Sequence, residues 1–148
     1  MNKPDLTPTD VSRALSELMP NIIRGVQLDF FTNRIITQTQ FMMVVAIHSY
    51  GRCTMTALAG NLSIKMPTAT GIVDRLVRGG YAKRLVDPDD RRQVMVELTP
   101  KGLRFISDFK QVVQKRWSQV LKTLDKGELK AFYVVITKLR NQLKTDNS

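Results

Sequence analysis

The chain has 148 residues, of which 43% are hydrophobic and 24% are charged, and its 23 Lys and Arg against 13 Asp and Glu give a net charge of +10. This length and composition are typical of one globular domain and exclude a disordered chain, while the charge favours a polyanionic partner. The longest apolar run, residues 41–47, is too short to cross a bilayer and the N-terminus has no apolar signal segment, so we expect a cytoplasmic protein without a membrane partner.

The first predicted element is a helix over residues 10–33. Apolar side chains recur there at steps of three and four, the spacing of one helical face. They are Val11, Leu15, Leu18, Ile22 and Val26. We expect Thr9 or Asp10 to cap this helix. Because proline removes a helical hydrogen bond, Pro20 predicts either a kink or a helix that begins near it.

The second predicted element is a short helix from Gln38 to about Ser49. The segment 37–40 has the sequence TQTQ, in which Thr37 and Gln40 have the spacing of a capping box. Gly51 is expected to end the helix.

Residues 54–79 have the pattern of a helix-turn-helix. Thr54 can cap a helix to about Leu62, and after a turn Met66-Pro67 begins a second helix that Gly79-Gly80 end. The predicted buried face of the second helix consists of Ala69, Ile72, Val73 and Leu76. Two short helices joined by about three residues have the helix-turn-helix outline.

Residues 81–98 change to a period of two, which predicts a β-hairpin. Segments 81–86 and 94–98 are the strands, and the polar turn between them ends in Arg91-Arg92. A hairpin directly after a helix-turn-helix is a winged helix, whose second helix fits the major groove while the hairpin tip reaches phosphates or the minor groove. The sequence therefore predicts a mainly α fold with a small β-hairpin wing (α+β) that binds double-stranded DNA.

Residues 100–144 are predicted to form two long helices. Thr99 caps the first, from Pro100 to about Leu124, and the segment from Asp125 to Glu128 begins the second as a capping box. Their apolar faces, together with that of residues 10–33, exceed what one small winged-helix domain can cover. We therefore expect these N- and C-terminal helices to be dimerisation helices of a homodimer.

From about residue 10 to 144 the chain resembles the MarR family of transcriptional regulators. The resemblance depends on Leu58-Ala59, on TGIVDRL at 70–76, on Gly80 and on DRRQVMVELTPKG at 90–102. It implies a sequence-specific regulator, most often a repressor, that binds a palindromic operator. Two positions depart from the family pattern: Lys65 replaces the usual Ser or Thr cap of the second helix, and Gly71 replaces a longer polar residue.

The candidate DNA-binding residues are on the second helix and at the wing tip. They are Lys65, Thr68, Thr70, Arg75, Arg91 and Arg92. Arg75 has two alternative roles, a phosphate contact or an ion pair with a wing carboxylate. Asp90 is expected to hold the wing, for example by pairing with an arginine of the second helix; simply capping the turn is the alternative role.

The resemblance also implies a ligand site between the first two helices, the fifth helix and the DNA-binding lobe. In such proteins a small aromatic or phenolic compound binds there and releases the DNA. The residues of this chain that fit an aromatic ligand with one anionic group are Arg13, Arg24, Phe30, Phe31, Met42 and His48. For these side chains, filling the core is the alternative role.

Other activities have little support in the sequence. A lone His48 makes no metal site, no phosphate loop or nucleophile–base pair is present, and no cofactor is expected. The single Cys53 excludes an internal disulfide, and burial as a small apolar residue is favoured over redox sensing. Two alternatives to a ligand-released regulator stay open: an effector-free or architectural DNA-binding protein, and an interaction domain that has lost DNA binding.

Overall fold

The computed structural model describes residues 5–32 and 34–146, and within them it contains six helices and three short strands. They are α1 (Pro8–Phe31), α2 (Gln38–Tyr50), β1 (Arg52–Thr54), α3 (Met55–Asn61), α4 (Met66–Arg78), β2 (Ala82–Val86), β3 (Val94–Leu98), α5 (Pro100–Leu121) and α6 (Lys126–Asp146). This confirms the predicted mainly α fold with a small antiparallel sheet. None of the helices described is long and apolar enough to cross a membrane.

The chain divides into two compact units. The central unit comprises residues 24–112, and the terminal unit comprises residues 1–23 with 113–148. The helix-turn-helix and the sheet lie in the central unit, whereas the first part of α1 and all of α6 lie in the terminal unit.

The start of α1 corrects two expectations. Thr7 is the N-cap: its hydroxyl accepts a hydrogen bond from the Asp10 backbone N–H (3.3 Å), and the Asp10 carboxylate accepts one from the Thr7 N–H (3.0 Å). Thr9 and Asp10 are therefore wrong as caps, because Asp10 is the acidic partner of a capping box with Pro8 at the first helical position. The helix also runs on through Pro20, so a start near that proline is wrong.

The start and end of α2 agree with the prediction. Thr37 Oγ1 accepts a hydrogen bond from the Gln40 N–H at 3.2 Å, and the Gln40 side chain accepts one from the Thr37 N–H at 2.8 Å. Gly51, at φ 75°, ends the helix and donates its N–H to the Ile47 carbonyl. The local sequence is sufficient to define this helix.

The sheet has three antiparallel strands in the order β1-β3-β2. Strand β1 was not predicted, because three residues are too few to show an alternating pattern. It pairs with β3 so that Cys53 lies opposite Val96, while β2 pairs with the other edge of β3 from Ala82 opposite Leu98. β1 thus connects the wing directly to α3, which begins at the next residue.

The core of the central unit holds the DNA-binding helices against the sheet. The largest fully buried side chains come from α1, α2, α3, α4 and β3, and they are Phe30, Met43, Val44, Ile47, Leu58, Val73, Leu76 and Val96. Of these, Leu58 belongs to α3, Val73 and Leu76 to α4, and Val96 to β3. Burial of apolar surface, at roughly 25 cal/mol per Å², therefore fixes both helices of the helix-turn-helix on the wing.

Gly102 sets the distance between α5 and the base of the wing. A Cβ at this position would lie 2.2 Å from the Tyr81 carbonyl oxygen and 3.2 Å from Leu98. The same carbonyl accepts a hydrogen bond from the Thr99 N–H at 3.0 Å, and Thr99 Oγ1 in turn accepts one from the Gly102 N–H at 3.2 Å. Only glycine fits this approach of helix to strand.

The terminal unit carries most of the exposed apolar surface. Residues 122–124 form a turn, so α5 ends at Leu121 and not at Leu124 as predicted. Asp125 and Glu128 form the predicted capping box of α6, with both hydrogen bonds at 2.9 Å. Large apolar side chains of α1 and α6 are exposed in the single chain, and they include Val11, Leu15, Leu18, Leu129, Tyr133, Ile136, Leu139 and Leu143.

Candidate nucleic-acid interface

The N-terminus of α4 lacks a side-chain cap. Lys65 occupies the N-cap position with extended backbone angles, and its side chain makes no capping hydrogen bond. Pro67 lies in the first turn, where the missing N–H is tolerated. The cationic Lys65 side chain is exposed at this helix end.

The face of α4 that points away from the core carries three of the predicted contact residues, and a fourth, Lys65, precedes the helix at its N-cap. Lys65, Thr68, Thr70 and Arg75 are all exposed, whereas Ala69, Ile72, Val73 and Leu76 are buried. Residues of an α-helix are about 100° apart around its axis. Viewed along that axis, Gly71 therefore lies between Thr68 and Thr70 on the outward face, roughly opposite the buried row. A Cβ added at Gly71 would meet no atom within 4 Å.

One ion pair connects α4 to the wing. Asp74 Oδ1 of α4 lies 2.7 Å from an Arg84 nitrogen of β2. We expected a carboxylate of the wing to pair with an arginine of the helix; here the carboxylate belongs to the helix and the arginine to the wing. Within the described residues neither Arg75 nor Asp90 forms an ion pair, so the support-pair alternative for Arg75 is not realised there.

The tip of the wing is a tight turn closed by its own carboxylates. Asp90 Oδ1 accepts a hydrogen bond from the Arg92 N–H at 3.0 Å, and Asp87 Oδ1 accepts one from the Asp89 N–H at 2.9 Å. Asp90 therefore caps the turn, which was the alternative role, and the expected pair with an arginine of α4 is not among the ion pairs of the described residues. The Arg91 and Arg92 side chains are exposed at the tip.

Arg92 also borders a groove beside α3. This groove has a volume of about 460 Å³ and is lined by Thr54, Met55, Thr56, Arg92, Gln93 and Val94. Two threonine hydroxyls and one guanidinium offer it hydrogen-bond donors. Sequence reasoning did not bring Thr54 and Thr56 to the wing, because that proximity depends on the pairing of β1 with β3.

An ion network crosses the exposed face of the sheet. Glu97 of β3 lies 3.0 Å from Lys83 of β2 and 3.0 Å from Arg52 of β1. Hydrogen bonds from Lys83, and then from Arg52, lower the pKa of Glu97. Both basic side chains are half-exposed, so the network neutralises only part of the positive charge beside the wing.

The candidate ligand-site residues are only partly brought together. Arg24 and Phe31 line one surface pocket of about 470 Å³, together with Gln27, Leu28, Thr32, Ile36 and Gln38. Met42 lines a second pocket of about 320 Å³, with Gln38, Thr39, Leu62 and Ile64. Phe30 is 1% exposed within a cluster of phenylalanines, His48 is exposed outside both pockets, and Arg13 belongs to the terminal unit.

A residue that sequence reasoning missed covers the aromatic cluster. The Arg34 guanidinium lies 4.3 Å from the ring centre of Phe30 and 5.5 Å from that of Phe105, and it pairs with Asp108 at 3.1 Å. Such a cation–π contact stabilises the packing of α1 against α5 within the central unit. No local pattern predicts it, since Asp108 is 74 residues away.

Cys53 and the acidic residues offer no second chemistry. Cys53 is buried, its thiol faces the Val96 carbonyl at 3.8 Å, and burial raises the pKa of this thiol. A raised pKa disfavours the reactive thiolate. Among the residues described, no three His, Cys, Asp or Glu side chains are grouped so that they could hold a metal ion.

The geometry defines the class of the protein. A helix-turn-helix whose second helix exposes a polar face, next to a hairpin with two arginines at its tip, is the architecture of a winged-helix DNA-binding protein. Both parts are held by one core in the central unit.

Comparison with known proteins identifies the family: the chain belongs to the MarR family. A profile of this family matches residues 36–94. The multiple antibiotic resistance protein MarR of Escherichia coli is 30% identical over 105 residues, which cover 70% of this chain and 73% of that protein. The protein is therefore a DNA-binding transcriptional regulator and not an enzyme, as predicted.

Solved structures agree with this fold. The transcriptional regulator Tm0710 from Thermotoga maritima has a TM-score of 0.82 at 23% identity, over 93% of this chain and 96% of its own. A mutant MarR from E. coli complexed with operator DNA has a TM-score of 0.56 at 25% identity, over 90% of this chain and 99% of its own.

Proposed function

We propose that two copies of the protein bind a palindromic operator and repress transcription there. The observation that carries this proposal is the exposure, within one unit, of the outward face of α4 and of the arginine-bearing wing tip. In the proposed complex, α4 lies in the major groove and the wing tip contacts phosphates or the minor groove. The contact residues are Lys65, Thr68, Thr70, Arg75, Arg91 and Arg92.

The exposed apolar faces of the terminal unit support a homodimer. Leu15 on α1 and Leu139 on α6 are 44% and 51% exposed in the single chain, and they belong to rows of similar side chains. Burying such rows between two copies removes them from water. A dimer can then place its two α4 helices about 34–36 Å apart, the spacing of successive major grooves on one face of DNA.

The operator-bound relative supports the same mode of action. That E. coli protein was crystallised with operator DNA, and its likeness covers 90% of this chain. A dimer on an operator blocks access to the DNA beneath it, which is repression. A regulator of chromosomal genes acts in the cytoplasm.

A binding titration tests the proposal. A random-sequence duplex library is first used to select the operator, and fluorescence anisotropy then compares wild type with Arg92→Ala. We expect a loss of about 1–3 kcal/mol in binding free energy if Arg92 contacts the minor groove. Lys138→Ala, which removes an exposed cation of α6 on the side away from Ile136 and Leu143, is the control and should bind normally. Failure to select any site, or full affinity of Arg92→Ala, would contradict the proposal.

The oligomeric state needs a separate test. Leu139→Glu places a charge in the apolar row of α6 and should give a monomer in analytical ultracentrifugation with weak operator binding. Lys138, about 100° round the helix from Leu139, lies on the side away from Ile136 and Leu143, so Lys138→Glu should remain dimeric. A dimeric Leu139→Glu variant would remove α6 from the interface.

We further propose that an anionic aromatic ligand binds in the pocket lined by Arg24 and Phe31, and that its binding causes the protein to release the operator. Its volume of about 470 Å³ is within the range of small-molecule sites. Leu28, Phe31 and Ile36 offer apolar contacts, and the Arg24 guanidinium can bind a carboxylate through two hydrogen bonds.

Benzoate and 2-naphthoate are suitable probes for this pocket. We expect them to raise the melting temperature and to weaken operator binding in wild type but not in Arg24→Ala, with Lys138→Ala as the control. The response of His48→Ala decides whether His48 belongs to the site. If neither probe shifts wild type, the effector-free alternative is favoured.

A further inference from the structure

The outward face of α4 has few groups that can form paired hydrogen bonds with bases. Between Lys65 and Arg75 the helix contains no Arg, Lys, Asn or Gln over nine residues. At about 1.5 Å per residue this is about 13 Å of helix, close to the rise of four base pairs. Asp74, the polar residue there other than the threonines, is engaged by Arg84 at 2.7 Å. Base recognition in this stretch must therefore use short side chains.

The exposed side chains of this stretch offer apolar groups, including the methyl groups of two threonines. Met66, Pro67, Thr68 and Thr70 are all exposed, and each threonine offers one methyl beside one hydroxyl. In the major groove thymine is the base that presents a methyl group, and threonine methyls are among its preferred contacts. The two surfaces are complementary in chemistry.

Nothing inside the protein requires a glycine at position 71, which lies between the two threonines when the helix is viewed along its axis. It lies in regular helix, its backbone has no positive φ, and an added Cβ would meet no atom within 4 Å. Glycine is among the least favourable residues in a helix interior. An uncompensated glycine on the outward face leaves room outside the helix, where the wall of the groove would come.

We infer that α4 recognises thymine 5-methyl groups through Thr68 and Thr70, and that Gly71 lets the helix approach them closely. The centre of each operator half-site then consists of A·T pairs, whose thymine methyls lie against this face. This inference rests on the proposed operator binding and specifies the bases that are recognised. Apolar contact and close fit, rather than paired hydrogen bonds, supply the specificity at these base pairs.

Replacing thymine by deoxyuridine in the selected operator removes the methyl group alone. At each A·T pair beneath α4 this should weaken binding about fourfold, the effect of removing one buried methyl-sized group. Deoxyuridine outside the protein footprint is the control and should change nothing. In Thr70→Ser, which keeps the hydroxyl, one of these positions should no longer distinguish thymine from deoxyuridine. Half-sites with G·C pairs beneath α4, or equal affinity for both operators, would overturn the inference.

Gly71→Ala tests the close approach. It should lower operator affinity about tenfold and leave binding to random DNA unchanged. Gly60→Ala on α3 is the matched control, because a Cβ there also meets no atom within 4 Å. Undiminished operator affinity of Gly71→Ala would overturn the role of the glycine. If the library yields no preferred sequence, operator binding itself fails; if it yields one that is insensitive to deoxyuridine, only the present inference fails.

Discussion

Replacing Gly102 by alanine should destabilise the protein, although alanine is the better helix former. The added Cβ would lie 2.2 Å from the Tyr81 carbonyl oxygen, while ordinary contact begins at 3.4 Å. Relief needs a displacement of about 1 Å between α5 and the base of β2. That carbonyl accepts the 3.0 Å hydrogen bond from the Thr99 N–H, so the displacement also strains this bond.

The magnitude follows from three contributions. Overpacking of this kind costs about 1–3 kcal/mol. Weakening a partly buried hydrogen bond adds about 1–3 kcal/mol, and helix propensity returns at most about 1 kcal/mol. We therefore expect Gly102→Ala to lower the free energy of unfolding by about 3 kcal/mol, which lowers the melting temperature by about 6–12 °C.

Urea denaturation followed by circular dichroism measures this change. Gly60→Ala is the matched control, since open space surrounds its Cβ, and it should be neutral or stabilising by up to about 1 kcal/mol. The comparison is made at one protein concentration, because the proposed dimerisation would contribute to the apparent stability. Equal effects of the two substitutions would refute the argument from the Tyr81 contact.

Three further predictions concern single side chains of the central unit. Hydrogen bonds from Lys83, and then from Arg52, lower the pKa of Glu97 in the folded protein. The stabilisation from ionised Glu97 is therefore complete above the unfolded pKa of 4.5 and is lost as the pH falls through the lower folded pKa. In urea titrations at several pH values, Glu97→Gln should lose less stability than wild type as the pH is lowered. Cys53 should react slowly with iodoacetamide in the native protein and rapidly in urea, as followed by mass spectrometry, and fast native alkylation would contradict its burial. Asp74→Asn should change the free energy of unfolding by less than about 1 kcal/mol, because its ion pair is largely solvated, and calorimetry showing a larger loss would assign the pair a greater structural role.

Local signals predicted most of the central unit from the sequence. The capping box of Thr37 and Gln40, the proline at the start of α4 and the alternation in β3 each act within a few residues. For this reason the starts of α2 and α4 and the hairpin agree with the structure. The cap of α1 was misassigned because both Thr7 and Thr9 precede an apolar helix, and only the hydrogen bonds distinguish them.

Features that depend on distant pairing could not be predicted in this way. β1 is defined by its register on β3, and Arg34 meets Asp108 only after α1 and α5 pack. The candidate DNA-contact residues were predicted from their places on α4 and the wing, where exposure depends on local periodicity. The proposed ligand pocket depends on tertiary shape, which explains why the surface pocket contains Arg24 and Phe31 but neither Phe30 nor His48.

The division of the chain into units has a consequence for synthesis on the ribosome. The central unit is continuous in sequence, so all of residues 24–112 are available to form its core before the last helix is made. The terminal unit joins residues up to 23 with residues from 113 onward, so it can form only after α6 has been translated. A nascent chain thus holds a complete DNA-binding lobe while it still lacks the proposed means of pairing with a second copy. In the proposed dimer, operator binding uses two lobes, so strong binding would follow only after α6 has been made.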